Sequence, residues 1–216
     1  MKVLIVASQK GGAGKTTLAA HLAVAAEEVL PKKVVILDGD PQGSLSAWWN
    51  SREFEYPALA SSTLDELPGK IDQLKEAGFE LVIIDTPPAI TNAITKMVSM
   101  ADLVLIPTRP SPHDLRAVGS TVNIALEENK PFIFVVTQAK ANARLTTQAM
   151  AALSEHGTVS STIIHDRVEY ASSMINGETV GEVNKRSRSA DEINQLLNFV
   201  LERMNVITKK RNKKVL

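Results

Sequence analysis

Short apolar runs alternate with longer stretches of helical spacing along nearly the whole chain of 216 residues. Buried strands are predicted at residues 3–7, 34–37, 81–85, 103–107, 132–136 and 158–164, with a short extended piece at 57–59. Helices are predicted at residues 18–29, 44–52, 68–77, 90–100, 114–128, 142–156 and 190–204. Because strands that alternate with helices favour parallel crossovers, the pattern predicts a single α/β domain with a doubly wound, mostly parallel sheet.

The composition is that of an ordinary globular protein, with 44 % hydrophobic and 22 % charged residues. Lys+Arg and Asp+Glu both number 24, so any surface for nucleic acid must be a local patch. The absence of cysteine excludes disulfides and thiolate metal sites, and the four histidines lack the spacing of metal ligands. The chain begins directly with a strand and has no apolar run of about 20 residues, so we expect a cytoplasmic protein.

A glycine-rich segment lies between the first predicted strand and the first predicted helix. Residues 9–17 are Gln-Lys-Gly-Gly-Ala-Gly-Lys-Thr-Thr, and strand, glycine-rich loop and helix is the context of a phosphate-binding loop. Lys15 is expected to reach the β- and γ-phosphates of ATP, and the Thr16 hydroxyl is expected to bind Mg²⁺. Backbone amides turned inward would bind the phosphates together with the helix N-terminus. The predicted nucleotide contacts are Gly11, Gly12, Ala13, Gly14, Lys15, Thr16 and Thr17.

Acidic residues follow two other predicted strands. Asp38 and Asp40 come directly after the second strand, and Asp85 ends the third. Open α/β sheets bind ligands at the carboxyl ends of their strands. Since Mg²⁺ prefers oxygen ligands, we predict that Asp85 lies opposite Thr16 at a metal site.

The segment at residues 10–17 departs from the strict phosphate-loop pattern, which asks for glycine where this chain has Gln9. It resembles the deviant Walker A motif of the ParA/MinD family of partition and positioning ATPases. Residues 38–43 are similar to the switch I region of that family, and residues 85–88 resemble its Walker B and switch II motifs. Residues 107–115 closely resemble the loop that follows the next strand in the family.

The resemblance implies a role for several side chains. Lys10 matches the signature lysine, which crosses an ATP-bound homodimer and contacts the phosphates held by the other subunit. Asp40 would position the attacking water, so Lys10, Lys15 and Asp40 are the predicted catalytic residues. Asp38 would lie near the metal with Thr16 and Asp85. Gln138, after the strand at 132–136, is the candidate contact to the base.

The resemblance also implies partners. It is closest to the small ParA-type proteins without an N-terminal helix-turn-helix, and it predicts slow, Mg²⁺-dependent ATP hydrolysis that a centromere-binding partner stimulates. The ATP-bound dimer would bind DNA nonspecifically, be associated with the nucleoid, and drive segregation of plasmid or chromosomal DNA. We assign the DNA contacts to Lys185, Arg186 and Arg188, which lie close together in the sequence.

Other functions stay open. The same ATPase could position a protein cargo, such as a chemosensory array or a microcompartment, with the nucleoid as its track. A MinD-like membrane ATPase and a metabolic P-loop enzyme are further alternatives, although the chain has little apolar area for a membrane and shows no substrate-binding insertion. Residues 1–205 are predicted to form the ATPase domain. Residues 206–216 are predicted to form a basic, flexible tail that is solubilising or contacts DNA or lipid.

Overall fold

A computed structural model describes residues 1–88, 92–141 and 143–207 of the chain. Within these residues the strands are β1 Lys2–Val6, β2 Val34–Asp38, β3 Ala58–Ala60, β4 Leu81–Asp85, β5 Leu103–Thr108, β6 Phe132–Val136 and β7 Thr158–Val159. They form a seven-stranded sheet in the order β3-β2-β4-β1-β5-β6-β7, in which each neighbouring pair is parallel. The predicted fold class is confirmed.

Helices connect the strands across both faces of the sheet. They are α1 Lys15–Glu27, α2 Ser44–Asn50, α3 Leu67–Glu76, α4 Asn92–Val98, α5 Pro112–Glu127, α6 Arg144–Ser154, α7 Val168–Met174, α8 Val180–Val183 and α9 Arg188–Arg203. In the part of the chain that the structure describes, no helix has both the length and the apolar character needed to cross a bilayer.

Each face of the sheet carries its own hydrophobic core. Side chains alternate along β1, so Leu4 and Val6 pack in one cluster and Val3 and Ile5 in the other. The first cluster includes residues of α1 and α9, and the second includes residues of α3, α4 and α5. A parallel sheet that is covered on both faces explains why its central strands read as unbroken apolar runs.

Several predicted boundaries were wrong. The last strand is shorter than predicted, Thr158–Val159. The Ser160 amide still donates to Phe134 O at 2.8 Å, and its hydroxyl then accepts the Thr162 amide in a local turn before the Ile164 amide returns to Val136 O at 2.9 Å. The first helix begins at Lys15 and the last at Arg188, both earlier than the apolar spacing indicated. The short helix α8 was not predicted.

The described residues include the first two positions of the predicted tail, 206 and 207. Val206 and Ile207 pack against the core of α1 and α9, and the Val206 amide donates to Leu201 O at 2.9 Å. The basic run at residues 209–214 lies outside the described residues, as does the start of the helix predicted at 90–100.

Candidate nucleotide site

The carboxyl ends of three neighbouring strands meet at one edge of the sheet. Val6 at the end of β1 is paired with Asp85 at the end of β4, and Asp38 at the end of β2 is paired with the same residue. The glycine-rich loop at residues 9–14 follows β1 directly. The fold therefore brings this loop and the acidic strand ends together, as the sequence predicts.

Left-handed backbone conformations shape the loop. Gly12 has a φ of 72°, and Gly14, which immediately precedes α1, has a φ of 91°, values that glycine adopts without steric cost. The loop is braced from β6, because the Thr137 hydroxyl donates to Ala13 O at 2.9 Å and Gln138 Nε2 donates to Gly12 O at 2.6 Å. Gln138 was predicted to contact the base, and that contact stays a prediction, while its amide holds the phosphate loop in this structure.

Lys15 is a buried cation with few partners. Its side chain begins α1 and is 7 % exposed, and its Nζ donates to Lys10 O at 3.4 Å. Burial lowers the pKa of Lys15, and the nearby carboxylates of Asp85 and Asp40 oppose that shift. A positive charge held in this way at a helix N-terminus is suited to bind phosphate.

Thr16 and Asp85 form the candidate metal site. The Thr16 hydroxyl donates to Asp85 Oδ2 at 2.5 Å, and Asp85 Oδ1 is buried without a hydrogen-bond partner among the described residues. Burial raises the pKa of Asp85 to about 7, although Thr16 and Lys15 favour its charged form. An orphaned carboxylate oxygen beside a hydroxyl fits a site for Mg²⁺, whose other ligands would be phosphate and water oxygens.

Asp38 and Asp40 lie in a tight turn between β2 and α2. Asp38 accepts the amides of Asp40 at 3.1 Å and Ser46 at 2.8 Å, so its carboxylate caps the first turn of α2. Asp40 accepts the Gln42 amide at 3.0 Å. These contacts fix both acids at the strand edge, and their predicted roles at the metal and the attacking water stay predictions.

Gly39, between these acids, leaves no room for a side chain. A Cβ at this position would lie 2.7 Å from the backbone oxygen of Asp85 and 2.7 Å from Met97 Cε. The Gly39 amide also donates to Asp85 O at 2.9 Å. The turn between β2 and α2 is therefore packed directly against the end of β4, close to the candidate metal site.

Lys10 has a fixed backbone and an unpaired side chain. Its amide donates to Ser8 Oγ at 3.4 Å, and the preceding Gln9 accepts a short hydrogen bond from Ser120 of α5. Within the described residues the Lys10 ammonium has no hydrogen-bond or ion-pair partner. Its charge is therefore available to an external group, as the dimer prediction requires.

A second part of the site was missed by sequence reasoning. A cavity of about 190 Å³ opens beside the loop, with walls that include Gly14, Thr17, Gln138, Ile164, Arg167 and Tyr170. Its position next to the phosphate loop is suited to a nucleoside. No residue type in the segment at residues 165–171 points to a particular ligand.

Glu192 of α9 holds the wall of this cavity. Its carboxylate accepts His165 Nδ1 at 2.8 Å, Arg167 Nη2 at 2.7 Å and the Tyr170 hydroxyl at 2.9 Å. Burial favours the protonated form of Glu192, but the hydrogen bonds from Arg167 and His165 outweigh it and lower the pKa. No local sequence signal could have paired a residue of α9 with this wall.

Residues of the predicted DNA patch, Lys185, Arg186 and Arg188, are all exposed. They lie between α8 and the first turn of α9, away from the phosphate loop in sequence. Arg186 and Arg188 form no ion pair among the described residues, whereas Lys185 Nζ lies 2.7 Å from Glu28 Oε1. The structure thus presents three neighbouring cations to solvent.

Comparison with known proteins supports the phosphate-loop geometry. Residues 4–180 match the CobQ/CobB/MinD/ParA nucleotide-binding domain. The chain belongs to this family. It is related to the ParA/MinD ATPases, and the resemblance predicted from the sequence is confirmed.

Two curated relatives of this ParA/MinD-family chain differ in their described roles. The maintenance of carboxysome distribution protein A of Halothiobacillus neapolitanus is 32 % identical over 92 % of this chain and 95 % of that protein. Protein ParA of Rhizobium radiobacter is 33 % identical over 72 % of this chain and 68 % of that protein.

Solved structures share the fold at low identity. MinD in the MinC:MinD cell division complex of Aquifex aeolicus has a TM-score of 0.78 and 18 % identity, with 93 % of this chain and 96 % of that one covered. The ATP complex of Cyanothece McdA has a TM-score of 0.74 and 22 % identity, with 95 % and 96 % covered. These likenesses support the doubly wound architecture of this ParA/MinD-family chain.

Proposed function

We propose that this protein is an ATP-dependent ParA-type ATPase that positions a protein cargo by binding nucleoid DNA. The observation that carries this proposal is the match to a carboxysome distribution protein over 92 % of this chain and 95 % of that relative. It favours cargo positioning, an alternative in the sequence analysis, over the segregation of DNA that was predicted first. The cargo is a protein assembly that requires even distribution in the cell.

The nucleotide chemistry follows from the side chains at the sheet edge. Lys15 binds the β- and γ-phosphates, and its buried ammonium, which forms no ion pair among the described residues, gains a direct anionic partner. Thr16 and ionised Asp85 would hold Mg²⁺, which would supply positive charge to the phosphates. Asp40 orients the water that attacks the γ-phosphate.

Lys10 makes the active unit a dimer. Its ammonium has no partner among the described residues, so in a face-to-face dimer it can reach the phosphates of the other subunit. A cation added in this way neutralises charge that develops in phosphoryl transfer, as an arginine finger does. Because ADP lacks the γ-phosphate, the dimer would separate after hydrolysis, and an adaptor protein on the cargo would stimulate this step.

DNA binding by the dimer rests on the DNA patch. Replacing Lys185, Arg186 and Arg188 together by Ala should weaken binding to duplexes of any sequence and reduce its salt dependence. A matched control replaces three exposed cations of the opposite sheet face, Lys75, Arg116 and Arg144, by Ala. Filter binding over a series of salt concentrations measures the DNA affinity of each triple variant and its salt dependence. Equal losses in the two triple variants would contradict this location of the DNA surface.

DNA segregation is the second candidate function, and the match to ParA of Rhizobium radiobacter favours it. Deletion of the gene separates the two. Cargo positioning predicts that large protein assemblies lose their regular spacing, visible by electron cryotomography, while every replicon is inherited normally. Loss of a plasmid or of chromosomes, with assemblies still evenly spaced, would establish segregation instead.

A further inference from the structure

We propose that Glu28 competes with DNA phosphates for Lys185 and thereby limits the affinity of the DNA patch. This inference rests on the proposed function, because it concerns the regulation of that same surface. The two side chains come from parts of the chain 157 residues apart. Lys185 follows α8, and Glu28 immediately follows α1, the helix that begins at the phosphate loop.

The ion pair is close but open to solvent. Lys185 Nζ lies 2.7 Å from Glu28 Oε1, and the two side chains are 74 % and 58 % exposed. Contact with Glu28 raises the pKa of Lys185, so the cation remains charged throughout the physiological range. Exposed ion pairs are weak and exchange readily, so a phosphate can displace the carboxylate. Of the three cations in the DNA patch, Lys185 must therefore give up a partner when DNA binds.

Glu28 occupies a place where a carboxylate needs a cation. It is the C-terminal cap of α1, where the helix dipole is negative, and the last turn of α1 holds no basic residue. The neighbouring Glu27 is engaged by the backbone amides of Lys32 and Val34. Lys185 is thus the cation that compensates this end of the helix. When Lys185 turns to DNA, Glu28 is left unpaired and repels the incoming phosphate.

Buried contacts hold the backbone that presents Lys185. Arg52 Nη2 lies 2.7 Å from Glu182 Oε1, and Arg52 Nη1 donates to Gly177 O at 2.7 Å. Glu182 also accepts the amide of Thr179 at 2.8 Å and completes a capping box at the start of α8. The approach of Lys185 to α1 is therefore fixed by the fold and does not depend on a loosely held loop.

The side chain of Lys185 can leave Glu28 without disturbing the core. Both residues line a cavity of about 230 Å³ between α1, α8 and α9, together with His21 and Ile193. Because open space lies beneath the pair, little packed apolar surface is lost when the lysine swings away. The ion pair between Glu28 and Lys185 can therefore be displaced by DNA, and we call this pair the electrostatic latch.

The test is the affinity for a random-sequence DNA duplex, measured with ATPγS so that hydrolysis does not intervene. Glu28→Gln keeps the size and helix propensity of the side chain and removes its charge. We expect it to bind DNA about two- to fivefold more tightly at low salt, the range that an exposed ion pair allows. We also expect a steeper salt dependence, because wild-type Glu28 takes up a counterion when Lys185 leaves it.

Two controls separate the latch from a general change of charge. Glu76→Gln removes an exposed acid of α3 on the opposite face of the sheet and should change DNA affinity much less. In a Lys185→Gln background, Glu28→Gln should change DNA affinity no more than Glu76→Gln does, because the cation that the loss of Glu28 would release is absent. Thermal unfolding of each variant shows that the fold is intact.

The outcomes distinguish this inference from the proposed function. A wild-type protein that fails to bind DNA with ATPγS overturns the proposed function and this inference with it. A wild type that binds, together with a Glu28→Gln variant of unchanged affinity, overturns the latch alone. An increase that is equally large without Lys185 also overturns it.

Discussion

Lys15 and Arg52 are both buried cations, but their surroundings differ. Arg52, whose side chain is 1 % exposed, donates to Glu182, to Gly177 O and to Tyr56 O, and its guanidinium lies 4.8 Å from the ring centroid of Trp48. Lys15 has only a 3.4 Å contact to a backbone oxygen of its own loop. Several groups of the fold engage Arg52, although its Nε is buried without a hydrogen-bond partner among the described residues. Lys15 forms no ion pair among the described residues, and Asp85 and Asp40 act on its charge only at longer range.

Two buried acids repeat this difference. Glu192 accepts hydrogen bonds from His165, Arg167 and Tyr170, and its pKa is lowered in spite of burial. Asp85 has one oxygen without a partner among the described residues, and burial raises its pKa to about 7. Unpaired buried charges are costly, so their place at one sheet edge indicates where ligands complete the structure.

The largest expected effect is on ATP affinity, which should depend on Lys15 and not on Arg52. Lys15→Ala removes the cation that faces the phosphates, and loss of one partner of a buried charge pair should weaken ATP binding about 100-fold or more. Isothermal titration with ATP and Mg²⁺ measures this. Lys130→Ala, a change of the same type far from the loop, should bind as the wild type does. Wild-type affinity in folded Lys15→Ala would overturn the phosphate-loop assignment.

Arg52→Met should produce the opposite result. It leaves Glu182 without its buried partner, so the free energy of unfolding should fall by about 3 kcal/mol. Nucleotide affinity of the folded variant should be unchanged, because Arg52 does not line the site. Urea unfolding measures the free energy of unfolding of Arg52→Met, with Arg116→Met, at an exposed position, as the control. If Arg52→Met were as stable as that control, Arg52 would not be the structural cation of the pair.

Substitutions of Glu192 and Asp85 should also differ, the first in stability and the second in Mg²⁺-dependent ATP binding, with smaller effects than those of the two cations. Glu192→Gln should lose about 2 kcal/mol of stability, because buried donors lose a charged acceptor, and should keep Mg²⁺-dependent ATP binding. Asp85→Asn removes a costly buried charge, so at pH 8 it should be no less stable than the wild type, yet its ATP affinity should no longer depend on Mg²⁺. Urea unfolding and titration with and without Mg²⁺ measure both. If Asp85→Asn lost stability but kept the Mg²⁺ dependence of ATP binding, Asp85 would be a structural acid like Glu192.

The pH dependence tests Asp85 in the protein without a substitution. Asp85 has a pKa of about 7 when folded and 3.8 as its ordinary value, so between these values the folded state binds more protons. Through this group, the free energy of unfolding should therefore decrease as the pH rises from about 4 to about 7. Because Mg²⁺ needs the ionised carboxylate, affinity for Mg²⁺ and ATP should increase towards pH 7, with proton release on binding. Titration in buffers of different ionisation enthalpy detects that proton, and Asp85→Asn should not release it.

Local patterns predicted which residues meet at the sheet edge. Strand, glycine-rich loop and helix are contiguous in the sequence, and the acids follow their strands directly, so the sequence alone indicated that Lys15, Thr16, Asp38 and Asp85 lie close together, as the structure shows. Contacts between distant residues were not predictable in this way. Arg52 meets Glu182 across 130 residues, and Lys185 meets Glu28 across 157. Tertiary packing alone creates such pairs, which is why the cavity beside the phosphate loop and the pair of Glu28 and Lys185 were not predicted.

The predicted role of Gln138 shows the same limit. Its position after β6 predicted a contact to the base, and the structure places it in the wall of the cavity beside the phosphate loop. Its left-handed backbone, with a φ of 50°, turns the side chain towards Gly12 O, so it braces the loop in this structure. A conformation of this kind is set by the whole turn and cannot be deduced from residue type.

The dimer formed through Lys10 is the central claim of this account, and its most direct test is the mass of the ATP-bound protein by light scattering. The Asp40→Ala background should retain ATP without hydrolysing it, so we expect it to be dimeric with ATP and monomeric with ADP. Adding Lys130→Ala should leave that dimer intact. Adding Lys10→Ala should give a monomer that still binds ATP, with modestly reduced affinity. A dimer as stable as that of Asp40→Ala alone would contradict the role of Lys10 across the interface.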